Sequence, residues 1–293
     1  STPSNSSAAS DVYKRQLQSR VDSQGDHVTW ISDPSLTFTP KDGLNDDVIL
    51  VQHDFVTLIG IRGNGNYANQ NATPGSFIHF IDCTGALIVR AHIVGPYQHG
   101  IMLGDDNHPV THSKVVECYV EDSGDDCFTF LDSQDIEVIA CTAVDAGKTH
   151  KLAGVSSSGF EPETNTVTTR RISIVGCHSY NAADVGYSLT DTEQVSIVAC
   201  IDEGSNNGHL IDEGTFTVIK GCQFKSSGSI GVILRGTFGS FSGNKIVNAY
   251  RDAIRVEGGN YYEISHNTIV NPSQSGANNY PAIRCTGTAT HNI

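Results

Sequence analysis

Two adjacent carboxylates, Asp125 and Asp126, stand in the stretch S-G-D-D-C-F-T-F over residues 123–130. Two carboxyl groups held close together can divide acid and base work, because crowding and burial raise the pKa of one of them. Hydrolysis of a glycosidic bond with inversion needs such a pair, with the groups roughly 6.5–9.5 Å apart. A Gly-Asp-Asp turn also occurs for structural reasons, since aspartate caps backbone N–H groups. The pair therefore indicates either a hydrolytic site or an ordinary turn.

Three more residues are candidates to assist this pair. Asp105 and Asp106, within G-D-D-N, follow the preceding strand-like segment. His99 directly precedes a glycine and falls in the register of Asp126. Calcium is an alternative interpretation of the four aspartates, because this ion favours clustered carboxylate oxygens. The sequence predicts no other metal and no cofactor.

A second chemistry is proton abstraction beside the carboxylate of a uronic acid, as in a polysaccharide lyase or a uronate epimerase. It needs a cation that neutralises the carboxylate, and a base and an acid such as His, Lys or Tyr. Arginines in an outward file could bind a carboxylate or a sulfate. His99 could serve in this chemistry too, and the residues assigned to substrate binding are Tyr97, Lys148, His150, Arg255 and Arg284.

The elements that must position these residues form a repeat. A small or amide residue returns every 22–27 residues, apart from one interval of 36, next to short apolar segments. This period with short strands is typical of a β-solenoid. Equivalent residues of successive coils would stack about 4.8 Å apart and form a ladder. The predicted ladder is Ala91, Cys118, Cys141, Cys177, Cys200, Cys222, Asn244 and Asn267.

A second set of segments follows each turn, such as C-F-T-F over residues 127–130 and G-V-I-L over residues 231–234. Their second and fourth residues are mostly apolar and are expected to point inward, so the third points outward. The predicted outward file is Met102, Thr129, Ser188, Leu210, Ile233, Arg255 and Arg284. Residues 148–169 carry the extra length of the 36-residue interval, and we expect a loop there that walls the binding face.

This pattern resembles the right-handed parallel β-helices of the pectin-lyase-like superfamily over about residues 11–293. The resemblance implies an all-β fold in a single domain. Residues 11–22 are similar to the short N-terminal capping helix of that superfamily, with Asp11 as the N-cap and Gly25 beyond the end. Residues 1–10 are polar and predict a disordered leader. Asn292 opens another coil just as the sequence stops, so we expect either that the natural chain continues or that its end is frayed.

The segment G-D-D-C over residues 124–127 resembles a motif of the polygalacturonase family of glycoside hydrolases. The likeness extends to Asp125 and Asp126 alone. His99 stands where that family has another aspartate, and the family's G-H-G and R-I-K motifs are missing from this chain. The resemblance implies a polysaccharide substrate and a secreted or extracellular protein.

The composition of the chain limits the classes of partner that it can bind. The formal net charge is −14, with 18 Lys and Arg against 32 Asp and Glu. Such a chain has no diffuse attraction for nucleic acid or for anionic membranes. It also lacks an apolar run of about 18 residues that could span a membrane. The eight cysteines are expected to be buried free thiols rather than a disulfide framework, because a long repetitive core needs no staples.

Three functions stay open at this point. The first is an enzyme that cleaves a polysaccharide as an inverting glycoside hydrolase through Asp125 and Asp126, assisted by Asp105, Asp106 or His99. The second is a polysaccharide lyase or uronate epimerase that acts through His99, Tyr97 and Lys148. The third is a non-catalytic β-helix that binds glycans, similar to a tailspike or an adhesin. The oligomeric state is not predicted by the sequence.

Overall fold

The computed structural model describes residues 16–17, 21–22, 25–44, 46–70, 75–275 and 280–286. Three parallel sheets run along this part of the chain, and successive coils add strands to each of them. The turn from sheet 1 to sheet 2 is made by one residue in the left-handed region, such as Glu117 (φ 52°) or Ala140 (φ 52°). The short apolar segments of the sequence therefore become the strands of a right-handed parallel β-helix, as predicted.

The strands are short, as the spacing of turn residues requires. Sheet 1 contains Thr29–Ile31, Thr57–Ile59, Cys83–Thr84, Leu87–Val89, Val110–Val116, Gln134–Ile139, Arg170–Val175, Ser196–Val198, Val218–Lys220, Ser240–Ser242 and Glu263–Ser265. Sheet 2 contains Arg62–Asn64, His92–Val94, Tyr119–Glu121, Thr142–Val144, His178–Tyr180, Ile201–Glu203, Gln223–Lys225, Lys245–Val247 and Thr268–Val270. Sheet 3 contains Val21–Asp22, Ile49–Val51, Ile78–Phe80, Ile101–Leu103, Phe128–Leu131, Ser158–Glu163, Val185–Leu189, Gly208–Asp212, Ile230–Leu234, Ile254–Glu257 and Ile283–Thr286.

The prediction of an N-terminal capping helix is wrong for the residues of that segment that the structure describes. Gln16–Leu17 is a strand paired with Thr39–Pro40, and Val21–Asp22 is a strand of sheet 3. The spacing of apolar residues that suggested a helix fits two short strands equally well. The one helical element in the described part of the chain is the 3₁₀ turn Tyr67–Asn69. No helix there is long and apolar enough to cross a membrane. The leader over residues 1–10 and the coil opening at Asn292 lie outside the described residues.

The predicted ladder is confirmed between sheets 1 and 2. The asparagines bond to backbone rather than to each other, since the Cys222 N–H donates to Oδ1 of Asn244 (2.9 Å) and the Asn244 N–H to Oδ1 of Asn267 (2.9 Å). Thiols take the same position, as Cys141 Sγ accepts from the Cys118 N–H at 3.5 Å. All eight cysteines are free, and only Cys285 is exposed. The buried thiols thus act as small apolar residues with weak hydrogen bonds.

Aromatic side chains fill the interior behind sheet 3. Phe128, Phe160 and Tyr187 are fully buried and stack in successive coils. Their ring centroids are 4.8 Å and 5.2 Å apart, with interplanar angles of 5° and 7°. Each stacked ring is the chain neighbour of an outward residue on the same strand. The stack therefore supports the backbone from which these outward side chains project.

The outward file of sheet 3 differs from the prediction at two places. Leu210 pairs with Tyr187 and Val232 and is buried, whereas Ile211 pairs with Ser188 in the outward file. The shift arises because His209 takes an inner corner position, held by a hydrogen bond from its Nδ1 to Asp202 Oδ2 (2.5 Å). The second difference is that residues 158–163 are a strand, so Glu161 joins the file opposite Thr129.

Candidate active site

The outward face of sheet 3 carries a cleft with a volume of about 360 Å³. Six carboxyl groups and one imidazole line it, and no Lys or Arg does so among the described residues. The lining residues are Gln98, His99, Met102, Asp105, Asp106, Asp125, Asp126, Thr129, Leu131, Val155, Ser156, Glu161, Glu163 and Asn165. The cleft is therefore strongly acidic, and its floor is the outward file of sheet 3.

The structure brings together all five residues assigned to catalysis. His99 lies two residues before the strand Ile101–Leu103, and Asp105 and Asp106 lie in the turn after it. Asp125 and Asp126 occupy the turn before the next strand, and His99 Nε2 lies 4.0 Å from Asp125 Oδ2. Parallel coils place equivalent turns side by side, so three segments of the sequence meet in one cleft.

Three of the residues assigned to substrate binding lie elsewhere. The Tyr97 ring stacks on Tyr67, with the centroids 6.1 Å apart. His150 is buried, its ring also stacks on Tyr67, and its Nε2 lies 3.0 Å from the Pro96 carbonyl oxygen. Lys148 is exposed and does not line the cleft. The lyase arrangement built from His99, Tyr97 and Lys148 is consequently not assembled.

Arg255 and Arg284 stack in the outward file as predicted, but they are far from the carboxylates. They follow Thr129 by five and six strands of sheet 3, or roughly 24 Å and 29 Å at 4.8 Å per strand. Both pair with the buried Asp252, at 2.6 Å for Arg255 and 3.1 Å for Arg284. Arg255 also pairs with Glu257 at 3.0 Å, so both arginines are held in ion pairs within the protein.

Two carboxylates of the cleft, Glu161 and Glu163, were not predicted. Both lie on the strand Ser158–Glu163, inside the segment that the sequence assigned to a loop. The alternation F-E-P-E could have revealed this strand, because Phe160 stands one repeat before Tyr187 and the two glutamates alternate with inward residues. Glu161 proves to be central, since it lies between Thr129 and Ser188 in the file.

Asp126 and Glu161 form a dyad of carboxyl groups. Burial raises the pKa of Asp126 well above its usual range, and the charges of Glu161 and Asp125 add to the effect. Burial raises the pKa of Glu161 as well, whereas its hydrogen bond with Asp126 acts in the opposite direction. The Ser158 N–H donates to Asp126 Oδ1 at 2.7 Å and fixes this group. Two like charges in contact do not both ionise, so the dyad holds a proton, with Asp126 as its preferred carrier.

Two further carboxyl groups titrate near neutrality. Burial and the charge of Glu161 raise the pKa of Asp125 to about 7. The same two causes raise the pKa of Glu163 to about 7. A carboxyl group with such a pKa is partly protonated at neutral pH and can act as a general acid.

His99 is a neutral member of this group. Its burial, followed by the charge of His79, lowers the pKa of the imidazole to about 3. The Thr129 hydroxyl lies 2.9 Å from His99 Nδ1 and 3.2 Å from Asp126 Oδ2. Thr129 therefore links the imidazole to the dyad, and His99 supplies hydrogen bonds rather than positive charge.

The raised pKa values predict that the protein becomes less stable as the pH rises from 5 to 8. At Asp125 and Glu163 the folded chain keeps protons that the unfolded chain has released in this window, so the contribution of these two groups is complete below about pH 4 and is lost as the pH passes 7. A buried group such as Asp125 contributes a slope on the order of 1.4 kcal/mol per pH unit. Urea unfolding at pH 5, 6, 7 and 8 measures the slope. It should flatten in Asp125→Asn, and an equal slope in both proteins would contradict the assignment.

One end of the cleft is held by Asp132, which is fully buried. Its Oδ1 accepts from the backbone N–H groups of Asn165 (2.9 Å) and Thr166 (3.0 Å), and its Oδ2 accepts from that of Asn107 (3.3 Å). Asn165 in turn donates from Nδ2 to Asp106 Oδ1 at 2.9 Å. Burial opposes ionisation, yet the hydrogen bonds from Thr166 and Asn165 lower the pKa of Asp132 overall. This carboxylate ties together the two turns that wall the cleft.

Replacing Asp132 by Ala is expected to loosen both turns. Several backbone N–H groups would lose their acceptor, which costs roughly 3 kcal/mol of unfolding free energy. Thermal unfolding measures this loss, and Asp132→Asn is the matched variant, because it keeps one acceptor oxygen and should lose less. Equal stability of Asp132→Ala and the wild type would show that the turns are held by other contacts.

His99, Asp125 and Asp126 also offer one ligand atom each within 4.8 Å of one another. This is the group with metal-binding geometry among the described residues, and it differs from the four aspartates that the sequence suggested for calcium. Because calcium prefers oxygen ligands, the imidazole suits a transition metal better. Two carboxylates and a neutral imidazole are together a set of ligands that a divalent transition metal can bind.

Comparisons with solved structures place the chain among β-helix proteins. The A-module of a mannuronan C-5 epimerase from Azotobacter vinelandii is 12% identical, covers 95% of this chain and 84% of its own, and has a TM-score of 0.60. An alginate lyase from Paenibacillus sp. str. FPU-7 is 12% identical over 93% of this chain and 99% of its own, with a TM-score of 0.64. The catalytic domain of a GH87 α-1,3-glucanase, solved with nigerose, is 8% identical over 95% and 61%, with a TM-score of 0.51. At these identities the likeness concerns the fold.

The sequence itself was also compared with known families and proteins. No curated protein gave a significant match. The sequence profile described as "right handed beta helix region" matches residues 76–237, which is more than half of the chain and includes every carboxylate of the cleft. Together with the three parallel sheets, this match shows that the chain belongs to the family of right-handed β-helix proteins.

Proposed function

We propose that the protein is a secreted or extracellular carbohydrate-active enzyme that hydrolyses glycosidic bonds in an uncharged polysaccharide. The observation that carries the proposal is the cleft, which is lined by six carboxyl groups and by no Lys or Arg of the described part of the chain. An anionic uronate chain would be repelled there, whereas a neutral glycan would meet many hydrogen-bond acceptors. The structural neighbours named above include a glucanase, an epimerase and a lyase, and this supports a glycan as the substrate class.

In this proposal Asp125 is the general acid. Its carboxyl group lines the cleft and its pKa of about 7 keeps much of it protonated at neutral pH. It would donate its proton to the glycosidic oxygen as the bond to the leaving sugar breaks.

Glu161 is the partner that activates water. Asp126 carries the proton of the dyad, so the negative charge resides on Glu161 and can accept a proton from water. Asp125 and Glu161 belong to adjacent coils and are offset along the strands, since Thr129 rather than Asp125 is opposite Glu161. In this proposal a water molecule lies between the two groups, and we expect inversion at the anomeric carbon.

A panel of neutral and uronate polysaccharides tests the proposal. We expect new reducing ends from a neutral glycan without an unsaturated product, which would absorb in the ultraviolet. NMR of the first product gives its anomeric configuration. Binding of a glycan without turnover would instead indicate the non-catalytic binding module.

One observation favours a second candidate, a metal-assisted lyase or epimerase. A cation held by His99, Asp125 and Asp126 would neutralise a uronate carboxylate and remove the electrostatic objection. Unsaturated products or a change of uronate configuration, abolished by a chelator and restored by a divalent cation, would identify this function and exclude the hydrolase.

A further inference from the structure

A second cavity, of about 260 Å³, lies on the outward face of sheet 2 near its N-terminal end. The described residues that line it include a guanidinium and an imidazole and no carboxylate, whereas those of the first cleft are acidic. The residues around it are Thr37, Arg62, Gly63, Asn64, His92 and Val94. We propose that this basic pocket binds an oxyanion, such as the carboxylate of an acidic sugar or a sulfate group.

The first argument is the state of Arg62. The chain carries an excess of acidic groups, and other arginines are paired, such as Arg171 with Asp135 and Arg235 with Glu213. Arg62 has neither an ion pair nor a side-chain hydrogen bond with any described residue, although its side chain lines the pocket. A planar guanidinium with free N–H groups matches the two oxygens of a carboxylate or sulfate.

The second argument is the register of the pocket. Arg62 and His92 are paired residues of adjacent strands, so their side chains leave the sheet about 4.8 Å apart on the same face. The His92 ring packs against the Tyr119 ring, with the centroids 4.7 Å apart, which restricts its orientation. Two nitrogen donor groups thus converge on one side of the cavity.

The third argument is the neutral part of the lining. Asn64 uses its Oδ1 to accept from the Asn66 N–H at 2.9 Å, so its Nδ2 group is left as a donor. Glu121, which pairs with Val94 on the next strand, accepts a hydrogen bond from the Tyr119 hydroxyl at 2.8 Å. Every hydrogen-bonding side chain that lines the pocket can donate, as an oxyanion site requires.

Isothermal titration calorimetry in a low-salt buffer free of phosphate tests the proposal with galacturonate, inorganic sulfate and glucose. We expect millimolar binding of galacturonate, of sulfate or of both, and none of glucose. Galacturonate alone would indicate an acidic sugar as the ligand, sulfate alone would indicate a sulfate group, and both together would indicate a general oxyanion site.

Arg62→Ala should weaken binding at least about tenfold. Arg62→Lys should bind more tightly than Arg62→Ala but less tightly than the wild type, because lysine keeps the positive charge but cannot form the two parallel hydrogen bonds of a guanidinium. Two variants serve as controls and should bind as the wild type does. Arg90→Ala removes an exposed cation that pairs with Glu117 outside the pocket, and Asp125→Asn alters the acidic cleft. Absence of binding, equal binding of glucose, or unchanged affinity in Arg62→Ala would overturn the proposal. This test does not depend on the proposed hydrolase.

Discussion

Glu161→Gln and Asp125→Asn should each lower kcat on the preferred glycan by roughly 10²–10⁴-fold, with little change in KM. Glutamine cannot take a proton from water, and asparagine cannot give one to the leaving group. Both substitutions preserve the shape of the side chain, so the loss should reflect chemistry rather than folding. Initial rates from a reducing-end assay, with circular dichroism as a check on structure, give the comparison.

The pH profile separates the two roles. In the wild type, activity should decline above pH 7 as Asp125 loses its proton, and this limb should vanish from the residual activity of Asp125→Asn. Glu137→Gln is the matched control for Glu161→Gln, because Glu137 is on a different sheet and pairs with Lys114 at the surface. If Glu137→Gln lost as much activity as Glu161→Gln, the central role of Glu161 would be untenable.

The second large effect is expected from Phe160→Ala, through stability. Phe160 is fully buried between Phe128 and Tyr187, so its removal leaves a cavity in the middle of the stack. Truncation of a buried phenylalanine costs about 3–5 kcal/mol, and the loss of two stacked ring pairs acts in the same direction. Since 1 kcal/mol corresponds to about 2–4 °C in a protein of this size, Tm should fall by roughly 10 °C.

Phe216→Ala is the control for this prediction. Phe216 also stacks on another ring, that of Phe238 at 5.3 Å, but its side chain is 50% exposed. Its removal should therefore change Tm by only a few degrees. Should Phe160→Ala fail to fold, Phe160→Leu gives a milder version of the same cavity. Equal shifts for the buried and the exposed phenylalanine would refute the argument from burial.

The fold was predictable because its signal is repeated many times. The ladder from Cys118 to Asn267 reads directly from the spacing, and each coil confirms the next. Errors arose where one coil departs from the pattern. His209 fills an inner corner where the preceding coil has Gly186, and this shifted the assignment of Leu210 by one residue. The N-terminal segment failed for a related reason, since the apolar spacing in residues 11–22 fits a short helix and two short strands equally well.

The site was predictable in part. Asp125 and Asp126 stood out as a motif, and Asp105, Asp106 and His99 followed from the register of neighbouring coils. Glu161 and Glu163 were missed because the irregular length of residues 148–169 concealed a regular strand. Tyr97 and His150 were assigned from residue type and position in the sequence, but side-chain direction is decided by local packing. Both side chains contact the ring of Tyr67, and neither lines the cleft.

Because all three sheets are parallel, the number of windings sets the length of the β-helix. The strands of each winding pair only with strands of the windings on either side, so stability accumulates largely by addition along the axis. A tandem duplication of one 22-residue unit, such as residues 208–229, would lengthen the rod by one strand spacing of about 4.8 Å. Because Glu161 and its neighbours are contributed by earlier windings, such growth could extend the surface beside the cleft without rebuilding the chemistry inside it.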